Sequence, residues 1–128
     1  MARPRAKRSR SLLVIEDDTF IRNLLRVFLE HRGFDVVFAD TYAAGEQAID
    51  TTRPRAIILD LKLPDGDGLD LLRHLREDLG RTEPVIVMTA LRREMTFVEA
   101  FERGATGFVT KPFDLDEFGA DIERAMSN

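Results

Sequence analysis

The chain contains no cysteine among its 128 residues. Disulfide bonds, thiol catalysis and thiolate metal sites are therefore excluded, and the absence fits a reducing cytoplasm, where we expect the protein to be located. Long apolar runs are also missing, since no stretch approaches the ~18 apolar residues of a membrane span. The basic start, MARPRAKRSRS, has no apolar segment after it, so we do not expect a secretory signal.

Acidic residues are absent from the first ten positions, which hold five arginine and lysine residues. Because the whole chain has a net charge of −4, the rest of it is strongly acidic. This distribution predicts a basic, flexible tail at 1–10 and one acidic domain at 11–128. We interpret the tail as a solubilising terminus, with contact to nucleic acid or an anionic surface as the alternative. An acidic body argues against nucleic-acid binding by the folded domain.

Five apolar segments alternate with five segments of helical periodicity. Strands are predicted at 11–15, 34–39, 56–60, 84–89 and 106–110; helices are predicted from Thr19 to Gly33, from Asp40 or Thr41 to about Thr51, at 69–79, at 92–103, and from about Asp114 to Ala125. Short connections between alternating strands and helices predict a parallel sheet with helices on both faces. For five such units we expect the flavodoxin-like (βα)5 fold, an α/β doubly wound sheet with strand order 2-1-3-4-5.

The stretch 56–68, AIILDLKLPDGDG, predicts a strand that is buried on both faces and ends at Asp60. Parallel sheets place ligand crevices at the carboxyl ends of their strands, next to the point where the strand order reverses. In the predicted order the first and third strands are neighbours. We therefore expect Glu16, Asp17 and Asp18, which follow the first strand, to share one crevice with Asp60.

Two further polar side chains follow the fourth and fifth strands, Thr89 and Lys111. Closely packed carboxylates raise one another's pKa unless a cation offsets the repulsion, and their oxygens with water suit Mg²⁺. At such a site Asp60 could attack phosphorus and form an acyl phosphate. Lys111 could neutralise a phosphoryl oxygen, and Thr89 could donate a hydrogen bond to another.

Each of these signals has a plainer interpretation when it is taken singly. The acids at 16–18 could have no role beyond capping the first helix, where the helix dipole favours negative charge. Lys111 could be a solvated surface lysine, and Thr89 an ordinary hydroxyl at the end of a strand. Their joint occurrence at successive strand ends favours the functional interpretation.

Two other patterns carry no functional prediction. Asp65 and Asp67 resemble the start of a calcium loop, but the position that needs the terminal glutamate holds Arg76. His31 and His74 occupy helical positions away from the strand ends, and we expect no chemical role for either.

Four segments together resemble a known family: LLVIEDD (12–18), IILDLKLPDGDGLDLL (57–72), VIVMTA (85–90) and GATGFVTKPF (104–113). The chain is similar to the response-regulator receiver domains, the CheY-like family, over roughly 11–126. The resemblance implies that Glu16 and Asp17 form the metal-binding acidic pair, with Asp18 in the third position of that motif. It also implies Mg²⁺ or Mn²⁺ as the cofactor and Asp60 as the phospho-acceptor.

The resemblance assigns roles to four further residues. The backbone carbonyl of Lys62 would bind the metal, Thr89 would move toward the phosphoryl group, and Lys111 would contact that group. Phe108 matches the switch aromatic and lacks a hydroxyl, so its switching would rest on burial. The Lys111–Pro112 bond matches one that is cis in the family. Lys62 and Leu91 occupy positions that tune the phosphoryl lifetime in relatives.

The family implies a phosphorylation-driven switch rather than an enzyme acting on a separate substrate. A histidine kinase or phosphotransfer protein would phosphorylate Asp60 and shift the helix 4–strand 5–helix 5 face, for binding a downstream protein or a second copy. One alternative is a pseudo-receiver, an interaction module without phosphorylation. Another is a receiver that forms part of a longer DNA-binding regulator.

Overall fold

The computed structural model describes residues 10–90 and 94–127. The predicted basic tail, apart from Arg10, lies outside these residues, as do Leu91 and the predicted start of the fourth helix. Arg10 itself is fixed at the surface, where its guanidinium donates to Glu123 Oε1 at 2.9 Å and to the carbonyl of Arg32 at 2.7 Å.

Five strands and five helices alternate along the described chain. The strands are β1 (Ser11–Ile15), β2 (Asp35–Ala39), β3 (Ala56–Asp60), β4 (Val85–Thr89) and β5 (Gly107–Thr110); the helices are α1 (Thr19–His31), α2 (Tyr42–Thr52), α3 (Gly68–Arg73), α4 (Glu94–Glu102) and α5 (Leu115–Met126). These five strands form one sheet in which every pair is parallel, and the order is β2-β1-β3-β4-β5. The predicted fold and strand order are confirmed.

The three central strands supply the core. Every residue of β1, β3 and β4 is buried, as expected for strands that are covered by helices on both faces. Alternate residues of these strands face opposite sides, so that Leu13 and Leu59 belong to one apolar cluster and Leu12 and Ile58 to the other. This packing fixes the carboxyl ends of the strands relative to one another.

Side-chain caps start four of the helices. Asp18, Thr41, Asp67 and Asp114 each accept a hydrogen bond from a backbone amide in the first turn of α1, α2, α3 and α5, respectively. The cap of α2 is thus Thr41 rather than Asp40. Among the acids at 16–18, Asp18 is the residue that caps α1.

Apolar residues of two helices depart from the predicted packing. Leu79 was expected on the packing face of the third helix, but it is 39% exposed. The reason is that α3 widens into a π-helical turn at His74–Asp78. The α-helical spacing is lost there, so Leu79 no longer lies on the packing face of the helix. Phe20, at the start of the α1 stripe, is 72% exposed, whereas Leu25 and Leu29 are fully buried.

A short antiparallel hairpin separates β3 from α3, pairing Lys62–Leu63 with Gly66–Asp67. We call residues 62–67 the 62–67 hairpin. Within the part of the chain that the structure describes, no helix is long and apolar enough to cross a membrane.

Candidate functional site

The carboxyl ends of β1, β3, β4 and β5 surround an open cleft of about 410 Å³. Its lining includes all the strand-end residues that the sequence predicted to meet there: Glu16, Asp17, Asp18, Asp60, Thr89 and Lys111. It also includes Lys62, to which the resemblance assigned a metal-binding carbonyl. The remaining lining residues are Leu63, Pro64 and Ala90. The predicted convergence of these side chains is therefore what the fold produces.

Lys111 joins the two buried carboxylates of the cleft. Its Nζ lies 2.6 Å from Glu16 Oε1 and 3.2 Å from Asp60 Oδ2. The Glu16 side chain is fully buried and that of Asp60 is 6% exposed, whereas that of Lys111 is 18% exposed. A buried carboxylate is costly without a partner, and one ammonium group here serves two.

The burial of Glu16 changes its acidity. Desolvation, helped by the neighbouring Asp60 carboxylate, raises the pKa of Glu16 from 4.5 to about 7, against the opposing hydrogen bonds from Lys111 and the Asp18 amide. Burial alone would lower the pKa of Lys111, but the hydrogen bond to Glu16 and the charge of Asp60 raise it above its ordinary value. Lys111 is therefore a cation at neutral pH.

Asp60 is held by the segment that follows it. Its Oδ1 accepts a hydrogen bond from the amide of Lys62 at 3.2 Å, so its two oxygens face the 62–67 hairpin and Lys111, respectively. The chain then turns back sharply, and the amide of Gly68 donates to the carbonyl of Leu61 at 2.8 Å. A Cβ at Gly68 would lie 2.6 Å from the carbonyl oxygen of Asp60, so only glycine fits this close approach.

The acidic residues fit a hard divalent cation. Glu16, Asp17 and Asp60 each offer a carboxylate oxygen, and these atoms lie within 4.8 Å of one another. Oxygen ligands from a few carboxylates, completed by water, are what Mg²⁺ prefers. The Asp17 side chain is exposed to solvent, while Asp18 is used as the α1 cap.

The remaining predicted residues lie on the side of the cleft toward β4 and β5. Thr89 is fully buried at the end of β4, and its carbonyl accepts a hydrogen bond from the amide of Lys111 at 2.8 Å. Phe108 is half-buried on β5, with its ring centroid 5.4 Å from that of Phe97 on α4. The Lys111–Pro112 peptide bond is cis, as the resemblance implied. The roles in switching and phosphoryl contact stay predictions.

One contact at the cleft was missed from the sequence. The Arg22 guanidinium, on the first turn of α1, donates to the carbonyls of Glu16 and Asp17 at 3.2 and 3.1 Å. It thereby holds the loop that carries both acids. The available signal was a basic residue one helical turn after the acids, but a surface arginine at that spacing is too common to be informative.

A second feature that the sequence did not reveal is an apolar surface on α4. Met95, Phe97, Val98 and Phe101 are each at least 40% exposed, and the rings of Phe97 and Phe101 are in contact at 4.9 Å between centroids. We call these four residues the α4 apolar surface. Helical periodicity predicted α4 without showing which of its apolar residues the sheet leaves uncovered.

The histidines lie outside the cleft lining. His31 is exposed at the end of α1. His74 makes two surface contacts, with Glu46 Oε2 on α2 and Asp78 Oδ2, both at 2.7 Å.

Comparison with known proteins identifies the family. Residues 12–123 match the response regulator receiver domain. The chain belongs to this family, the receiver domains of two-component systems, and the resemblance that the sequence motifs indicated is confirmed.

Two curated relatives show how much of a longer protein this chain matches. The KDP operon transcriptional regulatory protein KdpE of Escherichia coli is 39% identical over 116 residues, which cover 91% of this chain and 51% of KdpE. The phosphate regulon transcriptional regulatory protein PhoB of Escherichia coli is 37% identical over 119 residues, covering 92% of this chain and 52% of PhoB. The chain thus spans about half the length of these relatives.

Solved structures agree on the fold. The non-phosphorylated HemR receiver domain from Leptospira biflexa superposes with a TM-score of 0.85 at 32% identity, covering 92% of this chain and 94% of that one. The BeF₃-activated RstA receiver domain of Klebsiella pneumoniae gives a TM-score of 0.86 at 26% identity, with 92% and 99% coverage.

Proposed function

We propose that Asp60 accepts a phosphoryl group from a phosphohistidine of a sensor histidine kinase or phosphotransfer protein. The observation that supports this most directly is the bridge from Lys111 to both Glu16 and Asp60 in an open, acidic cleft. It places a cation and a carboxylate nucleophile together at a site with oxygen donors for a divalent ion.

The transfer is a displacement at phosphorus. An oxygen of Asp60 forms a bond to phosphorus while the P–N bond of the donor breaks, and the imidazole leaves with the electron pair and takes up a proton. Lys111, already within 3.2 Å of Asp60, stays close enough to contact a phosphoryl oxygen on that carboxylate. Thr89 lines the same cleft and supplies a hydroxyl for another oxygen.

Glu16, Asp17, Asp60 and the backbone carbonyl of Lys62 are the groups that would hold Mg²⁺ or Mn²⁺. When bound, the ion supplies positive charge that offsets the repulsion between the carboxylates and the phosphoryl group. The protein itself holds two of these acids rigidly. The Glu16 side chain is fully buried, and the backbone amide of Lys62 donates a hydrogen bond to one carboxylate oxygen of Asp60.

The output of phosphorylation is a change at the α4–β5–α5 face. Capture of the phosphoryl group by Thr89 and Lys111 shifts a two-state equilibrium that includes the burial of Phe108. Phe108 contacts Phe97, so the change reaches the α4 apolar surface directly. This face would bind a downstream protein or a second copy of the chain.

In this proposal the domain is a signalling module and not an enzyme with a separate substrate, and residues 11–128 form the receiver. KdpE and PhoB are named transcriptional regulatory proteins, and the chain matches about half of each. We therefore infer that the domain acts within a DNA-binding regulator, whose DNA contacts lie outside the receiver fold. The cytoplasmic location expected from the sequence remains a prediction.

The test is intact-mass spectrometry after incubation with a small phosphodonor, with and without Mg²⁺. The expected result is one phosphoryl adduct that requires Mg²⁺ and is missing from Asp60→Asn. A phosphoryl adduct on folded Asp60→Asn would show that a different residue is the phospho-acceptor. A folded wild-type protein without any adduct would favour the pseudo-receiver, an interaction module independent of phosphorylation.

A further inference from the structure

Two backbone amides at the start of α2 donate hydrogen bonds to a residue that is distant in the sequence. Asp65, at the tip of the 62–67 hairpin, accepts from the amide of Tyr42 at 2.6 Å through Oδ1 and from that of Ala43 at 3.1 Å through Oδ2. Thr41 accepts from the next two amides, with its side chain from Ala44 and its carbonyl from Gly45. The amides of Tyr42, Ala43 and Ala44, which have no partner within the helix, are thus all satisfied, two of them by Asp65.

The same hairpin forms one wall of the acidic cleft. Lys62, Leu63 and Pro64 line the cleft, and the amide of Lys62 donates to Asp60. On its other side, Gly66 lies against the ring of Tyr42, where a Cβ would come within 2.7 Å of Cδ2. The hairpin is therefore fixed between Asp60 at its base and the first turn of α2 at its tip.

We propose that Asp65 is a positioning residue for the acidic cleft, because its carboxylate ties the 62–67 hairpin to α2 and thereby sets the affinity of the cleft for a divalent cation. This inference rests on the proposed function, in which the carbonyl of Lys62 is one of the metal ligands. A carboxylate that accepts two backbone amides at a helix start is a strong anchor, since both hydrogen bonds are charge-assisted. These two bonds also lower the pKa of Asp65, so the anchor is ionised throughout the neutral range.

The test is calorimetric titration of the unphosphorylated chain with Mg²⁺. Asp65→Ala is expected to weaken Mg²⁺ binding about tenfold, the lower end of the loss seen when a residue that orients a metal ligand is removed. Thr41→Ala is the matched control, because it removes a cap from the same helix without touching the hairpin. It is expected to lower the melting temperature comparably and to leave the Mg²⁺ dissociation constant unchanged.

Asp65→Ala also removes a charge, so a second variant separates charge from position. Gly66→Ala keeps all charges, but its Cβ would lie 2.7 Å from Cδ2 of Tyr42. We expect the hairpin to shift away from α2 and Mg²⁺ binding to weaken as well. Equal weakening in Thr41→Ala, or wild-type affinity in Asp65→Ala or in Gly66→Ala, would overturn the positioning role while leaving the proposed function intact. Failure of the folded wild-type protein to bind Mg²⁺ would overturn both.

Discussion

Lys111 Nζ lies 2.6 Å from Glu16 Oε1, although the two residues are 95 positions apart. Glu16 follows β1 and Lys111 follows β5, so the pair connects an inner strand of the sheet to an edge strand. The contact is available because all five strands are parallel and end on the same side. It also gives the fully buried carboxylate of Glu16 its charged partner.

Removing the cation should destabilise the fold. Lys111→Met leaves the fully buried Glu16 without its charged partner, and the expected loss is about 1–3 kcal/mol in the free energy of unfolding at pH 8. Glu16→Gln/Lys111→Met, which removes both charges, should recover part of that loss. Urea denaturation of the four members of this double-mutant cycle measures the coupling, and strictly additive effects would contradict it.

A side chain at Gly68 should also destabilise the protein. The Cβ of Gly68→Ala meets the backbone at Asp60 and Leu61 at 2.6 Å, and backbone atoms at the end of a buried strand cannot move aside cheaply. We expect a loss of about 1–3 kcal/mol. The control is Gly107→Ala, whose Cβ meets Ile86 at an ordinary 3.5 Å and whose effect should stay within about 0.5 kcal/mol. Chemical denaturation distinguishes the two, and equal stabilities would refute the close-approach argument.

The α4 apolar surface should control association after phosphorylation. Phe97→Ser removes a ring that is 50% exposed, and it is expected to weaken phosphorylation-dependent self-association at least about tenfold without reducing the phosphoryl adduct. Val27→Ser, at an apolar position on α1 that is 71% exposed, is the control and should leave association unchanged. Light scattering with a small phosphodonor measures both variants. Unchanged association in Phe97→Ser would show that a different face, or a different partner, reads the signal.

His74 should make a pH-dependent contribution to stability. The hydrogen bond to Asp78, opposed by slight desolvation and helped by Glu46, raises the pKa of His74 above 6.5. The stabilisation is therefore fully present below pH 6.5 and is lost as the pH rises through the higher pKa of the folded state. His74→Gln should lower stability by less than about 1 kcal/mol at pH 5.5, since the contacts are partly exposed, and by nothing measurable at pH 9.

Unfolding free energies of wild type and His74→Gln across this pH range give the comparison. Glu46→Gln, which removes the contact that joins α2 to the π-helical turn, should lose part of the same pH-dependent increment. A difference between wild type and His74→Gln that grows toward high pH would have the wrong sign for this mechanism.

Much of the cleft could be read from the sequence, since position along a strand is local information. The apolar run that ends at Asp60 and the acids directly after β1 show that these residues stand at strand ends. The alternation of strands and helices with short connections predicts a parallel sheet, for which 2-1-3-4-5 is a common strand order. For the same reason the family motifs, which are clusters at strand ends, identified the fold before the structure did.

Other features depended on contacts between segments that are distant in the chain. Asp65 looked like part of a loop, and only the packing of the 62–67 hairpin against α2 shows that it caps another helix. The exposure of Phe97 and of Leu79 likewise follows from how each helix lies on the sheet, and from the π-helical turn after α3.

The sequence by itself determined the five strand–helix units, the order of the strands and the set of residues at their carboxyl ends, because these depend on periodicity and chain connectivity. Only the tertiary structure decided which oxygen of Asp60 faces Lys111, how far Glu16 is desolvated, and which side chain anchors the hairpin. Those properties depend on distances of a few ångströms between segments, and no pattern within one segment specifies them.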